Sequence, residues 1–206
     1  MSKKIIAVDI DDTIVQNIEA FRIKANEYSN SDLTPEDYKI DGEYWDYHTK
    51  VWEQHGLTGK LDAVEIYEDL HSNQSLIPLL PGAEFAINEL MKKYQIVLIT
   101  ARDIKWEQAT KEWLTEKFGD KAPNLYFSLA HRDSSHKTKG QICKELGAKW
   151  LIDDNIDHCV KALEEEITPI LFGDYGWQYN APYKLTRCRD WQSVLDYFEN
   201  EQSAKV

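Results

Sequence analysis

Short apolar runs recur along the chain, each followed by a stretch with helical periodicity. Residues 4–9, 95–100, 124–129, 149–153 and 169–172 are nearly continuous in Ile, Val, Leu and aromatic side chains. They lack the strict alternation of a strand with one wet face, so each predicts a strand buried on both sides. The stretches at about 82–93, 105–117, 137–146, 157–165 and 190–201 carry apolar positions three and four apart and predict the intervening helices. Strands alternating with helices in this way point to an α/β fold, a Rossmann-like doubly wound parallel sheet flanked by helices.

The alternation breaks once. Residues 16–80 contain no convincing strand, several polar and aromatic helical stretches, and a helix start at Thr34-Pro35-Glu36; Pro81-Gly82 then punctuates the end. So long an interruption exceeds a connecting loop, and it predicts a helical insertion at 16–80 in a core made of residues 1–15 and 81–206.

Composition narrows the partners. At 206 residues, 42% hydrophobic and 12% aromatic, the chain can bury a full core. A net charge of −12 disfavours long nucleic acids, whose binding draws on a surplus of Lys and Arg, but leaves room for a small anionic ligand held by a few local cations. No stretch reaches the roughly 20 apolar residues of a membrane helix, and the apolar run behind Lys4 is too short for a secretory signal. With three cysteines (Cys143, Cys159, Cys188) in no paired pattern, a reducing cytoplasm is the expected setting.

Ligands of open α/β sheets bind beyond the carboxyl ends of the strands, and four predicted ends are chemically loaded. The first runs into Asp9-Ile10-Asp11-Asp12-Thr13, the second into Thr100-Ala101-Arg102, and the fourth into Asp153-Asp154-Asn155. After the third comes His136-Lys137-Thr138-Lys139-Gly140, opening a helix. Two acidic tips on one edge suit a hard divalent cation such as Mg²⁺. The hydroxyl, guanidinium and ammonium groups suit phosphate oxygens.

These residues resemble the four motifs, in order, of the haloacid dehalogenase superfamily of aspartate-nucleophile phosphatases. Asp9, Asp11 and Thr13 match the first, Thr100 the second, Lys139 or Lys137 the third, and the pair Asp153 and Asp154 the fourth. The resemblance implies a phosphomonoester hydrolase in which Asp9 attacks phosphorus, Asp11 serves as general acid and then base, and Thr100 and one lysine hold the transferred oxygens. It further implies Mg²⁺ held by Asp9, the Asp11 backbone carbonyl and an acid of the fourth motif, Asp154 or Asp153. Asp157 lies near the place of an additional acid. The insertion falls where the family carries a helical cap over small phosphorylated substrates. The run Phe172-Gly173-Asp174-Tyr175-Gly176-Trp177-Gln178-Tyr179-Asn180 is similar to the 5′(3′)-deoxyribonucleotidase branch and implies a nucleotide.

Other residues carry two readings. Arg102 and Arg132 can bind a substrate's distal groups or pair with surface acids, and His131 and His136 can flank the lysine or merely cap a turn. Tyr44, Trp45, Tyr47, His48, Val51 and Trp52 can wall a base, but Tyr44, Tyr47 and Val51 also follow the spacing of a buried helix face, with Trp45 or Trp52 left to face the cleft. Trp177, Tyr179 and Asn180 lie in a loop with no periodic reason to be core. A phosphotransferase on the same fold, or a non-catalytic module binding a metal or ligand, are the competing functions.

Overall fold

The computed structural model describes residues 2–130, 133, 135–182 and 184–203, the side chains of 202 and 203 excepted. Six parallel strands form one sheet: β1 (Ile5–Val8), β2 (Gln95–Thr100), β3 (Asn124–Phe127), β4 (Ala148–Asp153), β5 (Thr168–Phe172) and β6 (Thr186–Cys188), in the order β3-β2-β1-β4-β5-β6. β1 pairs on one side with β2 (Val8 opposite Leu98) and on the other with β4 (Val8 opposite Ile152). The order reverses at β1, so the crevice at its carboxyl end is the switch point where such sheets bind ligands.

Successive side chains on a strand face opposite ways, and here both faces are covered. Ile6, Val8, Leu98, Trp150, Ile152, Ile170 and Phe172 join one apolar cluster. Their strand neighbours Ala7, Val97, Ile99 and Leu151 join a second. That division explains the uninterrupted apolar runs. The first face packs against α4 (Ala83–Lys93), α5 (Glu107–Phe118) and α8 (Trp191–Ser203), and the second against α6 (Lys139–Leu146) and α7 (Ile156–Glu164). Each large side chain buried this way contributes about 1.5–3 kcal/mol. Trp191 also donates its indole N–H to the Thr13 carbonyl at 2.9 Å, tying α8 to the loop after β1.

Between β1 and β2 the chain forms α1 (Asn17–Ser29), α2 (Tyr47–Gln54) and α3 (Ala63–Ser72), with a short 3-10 turn at Pro35–Tyr38 in which Thr34 and Asp37 cap each other. Its entry and exit run side by side: Gln16 N–H donates to Pro78 O and Leu80 N–H to Ile14 O, both at 2.8 Å. Phe21, Tyr47, Val51, Ile66 and Leu70 of this segment belong to the same apolar cluster as the first sheet face.

Three sequence expectations need correction. β6 is a strand the sequence does not predict, because its three residues Thr186–Cys188 contain no apolar run; it is held by pairing with β5. Tyr44 precedes α2 rather than lying on it, so the buried face of that helix is Tyr47, Val51 and Trp52. Trp177 is not a free loop residue. It is buried, stacked on Tyr175 at 4.4 Å and met edge-on by Tyr44 and Tyr47, so it joins the last loop to the inserted segment. Beside it Gly176 has no room for a side chain, because a Cβ would collide with the Ile40 carbonyl and the Tyr47 hydroxyl. Among the described residues, no helix is long and apolar enough to cross a membrane.

Candidate active site

Asp9 follows β1 directly, and its N–H donates to the Ile152 carbonyl at 2.9 Å, which fixes the ends of β1 and β4 together. Lys139 reaches this point from α6. Thr138 caps that helix, accepting from Gln141 N–H while Gln141 Oε1 accepts from Thr138 N–H. A Cβ on Gly140 would lie 2.6 Å from the Lys161 carbonyl, so glycine lets α6 and α7 touch backbone to backbone. The Lys139 side chain is turned inward and almost fully buried, with Nζ 2.6 Å from Asp9 Oδ1 and 2.7 Å from Asp153 Oδ2. Lys137 is exposed and pairs with Glu145 instead.

The two acids at the end of β4 differ in their partners. Asp153 is saturated: Oδ2 takes Lys139, and Oδ1 takes the Asn155 N–H at 3.0 Å and lies 3.2 Å from His158 Nδ1. Both oxygens of Asp154 are buried without a hydrogen-bond partner among the described residues. Asp154 is instead held through its backbone, whose carbonyl accepts from Gln178 Nε2 at 2.7 Å and from the Trp177 indole at 3.3 Å. Asp9, Asp153 and Asp154 each present an oxygen within 4.8 Å of the others.

The electrostatics follow from this packing. Burial pushes the Asp9 carboxyl up to about 7, with Lys139 opposing and Asp153 and Asp11 adding to the rise. Burial, reinforced by Asp153 and Asp9, pushes Asp154 well above the usual carboxylate range. For Asp153 burial is outweighed by Lys139 and His158, which hold it at about 2. Burial opposes the Lys139 charge, yet Asp153 and Asp9 raise its pKa above the ordinary lysine value. One buried cation thus faces three carboxyls, two of which cannot comfortably ionise. An all-oxygen donor set with an unpartnered acid fits a hard divalent cation.

Thr100 is fully buried at the same edge of the sheet, its hydroxyl accepting the Arg102 N–H at 3.2 Å. Asp11 lies beside it with both carboxylate oxygens on the Arg102 guanidinium. Burial alone would raise the Asp11 carboxyl, but Arg102 and His71 hold it well below the ordinary range. Asp12 is in the left-handed region (φ 52°) and caps α1, accepting the Ile18 N–H at 2.9 Å. Thr13 is buried nearby.

A cavity of about 560 Å³ opens over Asp11, Asp12, Ala101 and Arg102. Its other wall is aromatic: Phe21, Tyr44, Trp45, His48 and Tyr67 from the inserted segment and Trp177 from the last loop. His48 stacks on Phe21 at 4.2 Å, and burial pushes its pKa down to about 3, so it stands there uncharged. Trp45 is largely exposed at the opening, whereas Trp52 is buried with its indole N–H donated to the Tyr38 hydroxyl.

Several residues singled out in the sequence lie elsewhere. His136 and Asp157 are exposed, as are Tyr179 and Asn180, with the Tyr179 hydroxyl on Glu43. His131 and Arg132 fall outside the described residues. Conversely, His71, Gln74 and His158 touch the site and carry no signal in the sequence: His71 and Gln74 lie in the polar run His71-Ser72-Asn73-Gln74-Ser75, His158 lies within a helix, and no motif marks any of the three. Arg102 was visible but could not be aimed.

No family model matches the chain, and no curated protein matches it in sequence. Solved structures do. A haloacid dehalogenase-like protein of unknown function from Agrobacterium tumefaciens superposes with a TM-score of 0.64 at 15% identity, covering 98% of this chain and 100% of that one. A HAD-hydrolase from Bacillus subtilis bound to magnesium gives 0.62 at 10% identity, over 97% and 100%. A HAD-superfamily hydrolase of subfamily IA from Geobacter sulfurreducens gives 0.58 at 14%, over 95% and 96%. At such identities the likeness is one of architecture: the chain has the α/β fold of haloacid dehalogenase-like hydrolases.

Proposed function

We propose that the chain is a Mg²⁺-dependent phosphomonoester hydrolase with Asp9 as nucleophile. The observation that carries this reading is the buried contact of Asp9 with Lys139 beside an Asp154 whose two oxygens have no protein partner. Lys139 holds a phosphoryl oxygen against Asp9, and the Thr100 hydroxyl holds another. An Asp9 oxygen bonds to phosphorus as the ester P–O bond breaks; Asp11 gives the leaving oxygen its proton only once bound substrate loosens the Arg102 and His71 contacts that hold its carboxylate ionised. Water then attacks phosphorus, gives its proton to the Asp11 carboxylate, and the Asp9–phosphorus bond breaks to release phosphate. Asp9, Asp154 and the Asp11 backbone carbonyl would hold Mg²⁺, with Asp153 orienting Lys139 rather than ligating. The bound ion would supply charge to offset repulsion between carboxylate and phosphate.

Residues 16–80 act in this reading as a cap that covers the phosphate and excludes water. The aromatic cavity wall favours a substrate with a planar distal group, for which a nucleoside monophosphate is the natural candidate. A protein named as a phosphoglycolate phosphatase from Lactobacillus delbrueckii has the same fold, with a TM-score of 0.59 at 13% identity, which supports phosphatase chemistry but not a substrate. The test is phosphate release from nucleoside monophosphates and sugar phosphates, with Mg²⁺ and with excess chelator, in wild type and Asp9→Asn. Turnover that needs the metal and vanishes in the variant is expected. Wild-type activity in Asp9→Asn overturns the mechanism, and release from sugar phosphates alone overturns the nucleotide.

A further inference from the structure

The loop after β5 reaches the acidic edge of the sheet without adding a charge to it. The chain turns at Gly173 (φ 85°), where a Cβ would run into the Tyr175 ring, and then forms a single 3-10 turn at Gly176–Gln178. Gln178 is buried with both amide N–H bonds in use. Nε2 donates to the Phe172 carbonyl at the end of β5 and to the Asp154 carbonyl after β4, each at 2.7 Å. Oε1 accepts the Tyr175 N–H at 3.4 Å. Trp177 adds its indole N–H to the same Asp154 carbonyl at 3.3 Å. Tyr175, stacked on Trp177, donates its hydroxyl to the Asp12 carbonyl at 2.7 Å.

Three side chains of one loop therefore end on main-chain carbonyls at the two acidic strand ends. Buried carbonyls need donors in any fold. What sets this arrangement apart is Asp154, whose carboxylate has no hydrogen-bond partner among the described residues. Its main chain alone is held, so the main chain decides where the carboxylate starts from. The Asp12 carbonyl that Tyr175 holds is one peptide beyond that of Asp11. Metal ligands are aimed by the groups behind them, and losing such a partner typically costs about 10–100-fold in affinity. We propose that Gln178 is a positioning residue for the divalent cation, fixing Asp154 through its backbone, and that Tyr175 does the same for the loop after β1. The inference rests on the reading of Asp154 and the Asp11 carbonyl as metal ligands. It makes metal affinity depend on an uncharged amide 24 positions beyond the acid it serves.

Mg²⁺ demands near-ideal octahedral geometry at about 2.0–2.1 Å, whereas Ca²⁺ accepts loose and varied coordination. A residue that only aims a ligand should therefore matter more for Mg²⁺ than for Ca²⁺. We would titrate each ion into the full chain by calorimetry, with no substrate present. Gln178→Leu is expected to weaken Mg²⁺ binding by about 10–100-fold and Ca²⁺ binding by less than about 3-fold. Tyr175→Phe keeps the ring on Trp177 and loses only the hydroxyl; it should show the same selectivity at about 5-fold, which keeps the test alive if Gln178→Leu fails to fold. Leu114→Ala opens a cavity on α5 away from the loop, so it should lower stability while leaving both affinities within about 2-fold. Equal weakening of the two ions, a loss in Leu114→Ala as large as in Gln178→Leu, or unchanged Mg²⁺ affinity in both loop variants each overturns the proposal. Asp154→Asn run alongside separates the two readings. If it binds Mg²⁺ as tightly as wild type, or wild type takes up neither ion, the ligand assignment itself fails; if it alone loses Mg²⁺, only the positioning role does.

Discussion

Lys139 Nζ lies 2.6 Å from Asp9 Oδ1 with both side chains buried, so the site's cation is placed before any substrate arrives. Replacing it by Met should lower kcat/KM by about 10²–10³-fold, the usual cost of one preorganised oxyanion donor. The paired control is Lys137→Met, whose exposed contact with Glu145 is worth little and should leave the rate within about 2-fold. Phosphate-release kinetics on both variants decide it; equal effects would remove Lys139 from its role.

Metal binding should be visible without turnover. With Mg²⁺ at about 100 times its dissociation constant, linkage adds about 2.7 kcal/mol of stability. For a chain of this size that raises the melting temperature by roughly 5–10 °C. Asp154→Asn should abolish the rise, while its metal-free melting temperature should equal or exceed wild type, because burial and neighbouring acids already disfavour the Asp154 charge. A full Mg²⁺ response in that variant would place the ion elsewhere.

His48 should make the fold acid-sensitive. Its ordinary value of 6.5 applies to the unfolded chain, whereas burial holds the folded residue at about 3. Between those values only the unfolded state takes up the proton, so this contribution is complete above about pH 6.5 and is lost as pH falls toward 3. His48→Phe keeps a ring against Phe21 and should flatten the melting-temperature curve between pH 6.5 and 4. Superimposable curves would show that His48 titrates normally.

Gly176→Ala probes the join between the last loop and the inserted segment. With its Cβ directed at the Ile40 carbonyl, backbone must move, and overpacking of this kind costs about 1–3 kcal/mol. Thermal unfolding together with limited proteolysis should show lower stability and faster cleavage within residues 30–60. An unchanged pattern would mean the join is loose in solution.

The sheet was legible because a strand covered on both faces cannot afford polar residues, and β2 from Gln95 to Thr100 reads without interruption. Capping chemistry marks one helical start, at Thr34-Pro35-Glu36, where a 3-10 turn begins at Pro35. Thr186–Cys188 was illegible, since edge pairing with β5 rather than composition makes it a strand. Within the site, the strand-end acids stood out through their crowding, but their division of labour did not. Asp153 and Asp154 are adjacent and identical in type, and only the contacts with Lys139, His158 and Asn155 set them apart. Arg102 shows the same limit. Thr100-Ala101-Arg102 does not say whether the guanidinium turns outward or reaches a carboxylate 91 positions earlier.

β1 lies between β2 and β4, although β4 follows it by some 140 residues of chain. A ribosome therefore releases Asp9 early and the strand that flanks it late. Until Asp153 and Asp154 have emerged, Asp9, the proposed nucleophile, has no lysine neighbour fixed and no acid pair beside it. In the proposed mechanism, chemical competence waits for the long-range pairing of β1 with β4. Any truncation product that stops before residue 148 should be inert however well its inserted helices form.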